Sequence, residues 1–341
     1  MLSRVADSIY WLNRYIERAE NVARFIDVNL HLMLDLPEEE DQQWEPLIKT
    51  SGDRALFEEY YDAYTRENVM QFLTFEPDNP NSILGCVHRA RENARSVREV
   101  ISSEMWIQVN RFYLMVRNAA FSEFDLMGAP HEFFTQIKLS GHTFEGIMDA
   151  TMSHGEAFHY GRMGRFLERA DKTTRILDMK YFILLPDVTY VGTALDNIQW
   201  ASLLRSASAL EMYRKRYGRI EPRNVVEFLL MDPEFPRAAR YCVHQADASL
   251  RAITGSGPGT FRNTAEQQLG RLCAELDFTS IREVLKSGLH EFLDNLQATL
   301  NDVDDAIHDT MYSRTQDVLA RAQVHTQSQR QAETQGQVQN T

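Results

Sequence analysis

The sequence predicts an all-α protein, an internally duplicated helical bundle with pseudo-twofold symmetry, on three observations. Apolar residues recur at steps of three and four, the period of a helix face. Long strand-like alternation is absent. The chain also repeats itself: Arg14–Asp27 (RYIERAENVARFID) matches Arg165–Asp178 (RFLERADKTTRILD), and Asn68–Arg95 matches Asn224–Arg251 without a gap. The first match shares Arg14/Arg165, Glu17/Glu168, Arg18/Arg169, Ala19/Ala170, Arg24/Arg175 and Asp27/Asp178. Packing alone maintains apolar character but requires no particular Glu, Arg or His, so the repeated polar residues are where function is sought.

Taken in order, Val5, Ile9, Leu12, Ile16, Ala19, Ala23, Ile26, Leu30 and Met33 line one face of a long first helix, ended by Pro37 and the acidic run Glu38–Asp41. Such a run reads as a solvated loop. Pro77 and Pro80, matched by Pro233 and Pro236, bracket a turn before the helices that carry His88 and His244. Further helices are expected near 104–120, 131–152, 158–185, 194–217 and 279–312, with Gly255–Thr260 a flexible connection. Trp44/Trp200, Phe57/Tyr213 and Tyr61/Tyr217 share the 156-residue offset of the second block, whereas Glu17 and Glu168 are 151 apart. Two half-repeats follow, 1–155 and 156–314, with a Gln-rich disordered tail over 315–341.

The 341-residue chain carries a net charge of −13. That excess of carboxylates argues against a phosphate-backbone partner, so no nucleic acid is expected. The N-terminus opens into an amphipathic pattern broken by Arg4, Asp7 and Arg14, neither a signal peptide nor a membrane span. Cys86, Cys242 and Cys273 lack metal-type spacing and read as buried core thiols of a cytoplasmic protein.

At 100° per residue Glu17, Glu20, Arg24 and Asp27 form a stripe beside the apolar face, and Glu168, Asp171, Arg175 and Asp178 repeat it. Arg18 and Arg169 point about 100° away from the neighbouring Glu. One reading is a buried ion network between helices, with Glu17 and Glu168 held by arginines from elsewhere. The other is a ligand cleft: Glu17, Arg18, Glu20, Arg24, Asp27, Glu168, Arg169, Asp171, Arg175 and Asp178 line it, with His88 and His244 near its walls. Arginine clamps a carboxylate in a bidentate way and the acids accept from an amine, so a peptide or amino acid is the ligand that fits. A di-metal bundle is also conceivable, since Glu156-x-x-His159 and Asp305-x-x-His308 approximate the ligand spacing that joins single carboxylates such as Glu17 and Glu168. Its partner motif starts with Asp and Glu156 falls at a helix start, so no metal or cofactor is expected.

GRFLERAD (Gly164–Asp171) and RYIERAE (Arg14–Glu20), with the opening MLSRVADSIYWLNRYIERAENVAR, resemble the alpha-E family of bacterial all-helical domains, named for their Glu-Arg motif. The resemblance covers about residues 1–315. It implies an association with circularly permuted ATP-grasp ligase-like proteins and transglutaminase-like proteins, hence with amide bonds of small peptides. The motif residues it carries over are Glu17, Arg18, Glu168 and Arg169. The expected role is a non-catalytic binding or scaffold subunit of such a system. The competing readings are an enzyme acting on a peptide or amino acid through the charged cleft, and a purely structural interaction protein.

Overall fold

The computed structural model describes residues 1–34, 44–121, 128, 130–184 and 194–310, the side chains at 32–34, 180–184 and 194–195 excepted. Among these there are fifteen helices and no strand. They are α1 (Ser3–Leu34), α2 (Glu45–Ser51), α3 (Arg54–Tyr60), α4 (Arg66–Thr74), α5 (Ile83–Ser96), α6 (Ser103–Phe121), α7 (Pro130–Thr151) and α8 (Glu156–Leu184). Then come α9 (Ala194–Ser206), α10 (Leu210–Tyr217), α11 (Pro222–Met231), α12 (Ala239–Thr254), α13 (Thr264–Phe278), α14 (Ile281–Ser287) and α15 (289–310). The acidic run and the Gln-rich tail expected from the sequence lie outside the described residues.

Two long helices, α1 and α8, form the centre. Helix α1 packs against α5, α7, α8 and α9, and α8 packs against α12, α1, α2 and α9. A helix wrapped on most sides needs more than one apolar stripe. Ile9, Leu12, Ala19, Ala23 and Ile26 are buried, as predicted, but so are Asn13, Glu17, Glu20, Asn21 and Arg24 on the rest of the surface. The matched sequences make matched contacts: α1 on α5 and α8 on α12, α9 on α1 and α2 on α8.

Close approach of α1 and α8 is set by two glycines. A Cβ on Gly164 would stand 2.6 Å from the Tyr10 carbonyl oxygen, and one on Gly161 would stand 2.5 Å from the Asn13 side-chain nitrogen. Tyr10 and Asn13 meet Gly164 and Gly161, and further along Glu17 and Arg18 meet Arg169 and Glu168. The contacts advance together, so the two helices run in the same direction.

The expected helices at 104–120, 131–152 and 158–185 are present to within two residues at each end. The other two differ for local reasons. The stretch 194–217 is broken because Ser208 adopts a positive φ of 49°, at the position where the first block has Gly52 (φ 83°). The stretch 279–312 is two helices: a capping box between Ser280 and Glu283 starts α14, and Gly288 (φ 101°) ends it. Helices α2, α3, α4, α11 and α13 were not read from the sequence as separate elements. Four of the five, all but α13, are shorter than the window of about 11–18 residues over which periodicity is legible, and α4 and α13 are announced by their caps, Thr65 and Asn263.

Gly164→Ala should lower stability by about 1–3 kcal/mol, because backbone rather than a flexible side chain blocks the new methyl. Gly146→Ala, within α7 where a Cβ meets nothing, should be neutral or gain about 0.5–1 kcal/mol. Urea denaturation of both variants checks this. Equal stability of the two would contradict the close α1–α8 approach.

Candidate functional site

The two Glu-Arg motifs pair with each other. Arg169 donates to Glu17 through Nε at 3.0 Å and Nη2 at 2.7 Å. Arg18 donates to Glu168 through Nε at 2.7 Å and Nη2 at 2.9 Å. Each bond is a two-pronged guanidinium–carboxylate contact, the geometry in which such pairs are strongest. Glu and Arg neighbours on one helix point about 100° apart, so each reaches a different part of the facing helix. Both motifs are thereby used across one α1–α8 contact, with Glu17, Glu168 and Arg169 buried.

Further cations complete the carboxylate shells. Glu17 accepts from Arg237 Nη1 at 2.9 Å and from the Asn21 amide at 2.9 Å. Glu168 accepts from Arg14 Nε at 2.9 Å, and Lys172 Nζ lies 3.5 Å away. Arg14 also reaches Asp304 at 2.5 Å, and Arg165, its match in the second block, reaches Glu145 at 3.2 Å. Burial alone would raise both glutamates. Arg169 and Arg237 leave Glu17 below its ordinary value, and Arg18, Lys172 and Arg14 hold Glu168 well below.

One turn on, the stripes continue in parallel fashion. Arg24 donates to Glu20 from Nε at 3.1 Å and Nη2 at 2.6 Å, and Arg175 Nε donates to Asp171 at 2.9 Å. Arg24 also bonds Ser208 Oγ, and Arg175 Nη1 donates to the Thr50 carbonyl at 3.3 Å. Glu20 takes a further bond from Arg237 and has His142 Nε2 at 3.2 Å. A Cβ on Gly141 would meet Glu20 Oε2 at 2.4 Å, so glycine is what lets α7 pass this carboxylate. Burial would raise Asp171, but Lys172 and Arg175 bring it down to about 2. Arg24 is pulled down to about 10 by burial and by Arg237.

At the far ends, Asp27 accepts from His131 Nδ1 at 2.6 Å and from Lys138 at 2.5 Å, and Asp178 accepts from His290 Nδ1 at 2.7 Å. All eight charged residues of the two stripes, and Arg18 and Arg169 beside them, therefore have partners inside the protein. The donors of Arg24 and Arg175 are directed at protein acceptors rather than into a clamp for a ligand.

His88 and His244 stand apart from this network. His88 is exposed, with its ring 5.8 Å from that of Tyr113 on α6, and His244 Nε2 is 2.8 Å from Asp277 on α13. They sit two residues beyond Cys86 and Cys242, which face the network, so helix geometry turns the histidines to the opposite side. His244 lines a cavity of about 600 Å³ with Arg251, Phe261 and Asp277. The expectation of histidines at the walls of a shared cleft is corrected accordingly. Cys86, Cys242 and Cys273 are free and buried, and burial pushes each thiol up to about 12.

The di-metal arrangement is not assembled either. Glu17 and Glu168 are saturated by guanidinium groups, Glu156 is partly exposed in the first turn of α8, and His308 faces Asp7 at 3.6 Å.

Glu145, Arg237, Asp304, His131, His142, His290 and Lys138 belong to the network without a sequence signal at the Glu-Arg stripes, whereas Arg14 and Arg165 are among the repeated residues and Lys172 follows Glu168 by four. The two blocks differ at the extra cations. Arg237 stands where the first block has Asn81, and Lys172 where it has Asn21. A cation lost at one repeated position reappears at another.

Stability should hold between about pH 7 and pH 5 and fall as pH drops from about 4 toward 2. Glu17, Glu20, Glu168 and Asp171 are all depressed in the folded state, so their contribution is present above the unfolded value of about 4 and is lost as the folded groups protonate. Asp171→Asn should flatten this fall in urea titrations at fixed pH values, and an unchanged slope would contradict it. Glu17→Gln at pH 7 should cost about 3–5 kcal/mol, since it leaves buried arginines short of a counter-charge. Glu58→Gln on the exposed surface should cost far less, because solvent screens that ion pair.

Comparison with known proteins agrees with the architecture. A family model called Alpha-E, described as a predicted alpha-helical domain with a conserved ER motif, matches residues 1–311. Uncharacterized proteins of Mycobacterium bovis and Mycobacterium tuberculosis are 23% identical over 330 residues, covering 89% of this chain and 36% of theirs. The chain thus spans about a third of the length of these curated relatives. No solved structure matches.

Proposed function

The chain belongs to the Alpha-E family, and from that premise we propose that it is a non-catalytic binding or scaffold subunit of a system that makes or modifies amide bonds in peptides. Its partners in this reading are an ATP-grasp ligase-like protein and a transglutaminase-like protein, and its place of work is the cytoplasm. Among the described residues no helix is long and apolar enough to cross a membrane. The two halves, 1–155 and 156–314, are read as copies about a local twofold that runs between α1 and α8. The matched contacts of the two blocks support that reading.

The observation that carries the scaffold role is the saturation of the motif. Glu17, Arg18, Glu168 and Arg169 are consumed in bidentate internal pairs. A general acid or base needs a carboxyl poised near working pH and within reach of substrate. Here the motif carboxylates are buried and held well into their charged form. Their role is to join α1 to α8 and hold a rigid body. The relatives extend well beyond the matched region, which suits a unit that works beside other domains.

The test is to purify the chain alone and together with the ATP-grasp ligase-like protein of the same host. The isolated chain should neither form nor hydrolyse amide bonds with peptides and ATP, and the two proteins should co-elute in size-exclusion chromatography. Turnover by the isolated chain that disappears in Asp171→Asn would establish the enzyme reading instead. Separate elution at micromolar concentrations would remove the subunit reading.

A further inference from the structure

At the end of the central helix, beyond the ion network, Asp27 and His31 lie one turn apart on α1 and face His131 at the start of α7. A separation of four residues places the two α1 side chains on the same face. One donor atom from each of the three residues lies within 4.8 Å of the other two. The His31 and His131 rings are stacked, with centroids 4.0 Å apart and planes 27° from parallel. We propose that Asp27, His31 and His131 form a binding site for one divalent transition metal of the zinc type, a site independent of the scaffold role.

The donor set suits that chemistry. Two imidazoles and one carboxylate are borderline ligands that favour zinc over magnesium or calcium. In a tetrahedral zinc site with bonds of about 2.0–2.2 Å, neighbouring donor atoms are about 3.3 Å apart. The three donor atoms, at 4.8 Å or less from one another, already bracket that spacing. Asp27 Oδ1 and His131 Nδ1 now share a hydrogen bond of 2.6 Å. On binding, the proton on Nδ1 moves to Nε2, which gives the neutral tautomer that coordinates through Nδ1. The fourth position is open to water, because the His131 side chain is 40% exposed and His31 is exposed while Asp27 is buried.

Two further features of the surroundings point to a ligand. Among the hydrogen bonds of the described residues none involves a His31 nitrogen, so the stack against His131 is what holds this ring over the site. Lys138 occupies the other oxygen of Asp27 at 2.5 Å. An ammonium bonded to one oxygen of a ligating carboxylate orients it and leaves the other oxygen for the metal.

The second block provides a contrast. Asp178 and His290 repeat the Asp27–His131 pair, but Asp294 approaches the other ring nitrogen, Nε2, at 3.5 Å. That imidazole is held from both edges by carboxylates. The residue at the position matching His31 is Phe182. Asp178, His290 and Asp294 also bring donor atoms within 4.8 Å of one another, but that set offers one imidazole against two carboxylates, so zinc is assigned to the first half, where two imidazoles meet one carboxylate.

Tag-free full-length protein, stripped with a chelator, is titrated calorimetrically with zinc chloride. Wild type should bind one equivalent with a dissociation constant of about 1 μM or tighter. His31→Ala and His131→Ala should each weaken binding at least about tenfold, and His290→Gln should leave it unchanged. Zinc should raise the melting temperature of wild type and of His290→Gln but not of His31→Ala. His31 is exposed, so its variant tests the site even where His131→Ala does not fold, and circular dichroism confirms which variants are folded. Absence of binding by wild type would overturn the proposal. So would binding that survives His31→Ala in folded protein, or that is lost equally in His290→Gln.

Discussion

Four charges at the α1–α8 contact govern the rest of the molecule. In the pairs Glu17 with Arg169 and Glu168 with Arg18, three of the four side chains are buried and Arg18 is largely so. An unpaired ion in such a place is costly, and losing one member of a buried pair costs about 3–5 kcal/mol. The pairing therefore specifies which helix meets which, and in what register. A shift of one residue along α8 would bring Glu168 to face Glu17 or move both guanidinium groups out of reach. Apolar stripes on α1 and α8 tolerate such sliding; the crossed ion pairs do not. The glycines at 161 and 164 complement this by letting the backbones approach closely enough for short side-chain bridges to form.

The network also explains how two similar blocks differ without leaving a bare charge. Glu17 is flanked by Asn21 and receives its second cation from Arg237, whereas Glu168 has Lys172 at the matching position and Asn81 nearby. Each glutamate has its motif arginine and at least one further cation, supplied by the turn before α12 for Glu17 and by α1 and α8 for Glu168. Arginine in the one and lysine in the other are not equivalent donors. Arg237 bridges Glu17 and Glu20, while Lys172 bridges Glu168 and Asp171. The outer Asp–His pairs diverge in the same manner: Asp27 gains Lys138 and the His31 ring, and Asp178 shares its histidine with Asp294.

Much of this was legible in the sequence because it is periodic. The long helices follow from steps of three and four, and the stripe of Glu17, Glu20, Arg24 and Asp27 follows from 100° per residue. Their nearness to the apolar face correctly signals burial. What periodicity does not contain is the identity of the facing residue. That Arg18 belongs to Glu168, not to a neighbour on its own helix, is decided by the packing of α1 on α8. His88 and His244 were singled out because they repeat, yet repetition also preserves residues that face solvent or satellite helices. His131 and His290 lie outside both matched blocks, so nothing in the sequence connected them to Asp27 and Asp178. The helix breaks at Ser208 and Gly288 arise from positive φ angles; a serine gives little warning of one.

The central claim is that the two Glu-Arg motifs exist to bind one another. A double-mutant cycle on Arg18 and Glu168 measures this directly, with Arg18→Gln, Glu168→Gln and the double variant unfolded in urea at pH 7. The account predicts a coupling energy of about 2–3 kcal/mol, with the double variant more stable than the sum of the single losses implies. Additive losses, within about 0.3–0.5 kcal/mol, would contradict it and leave the motif without its partner.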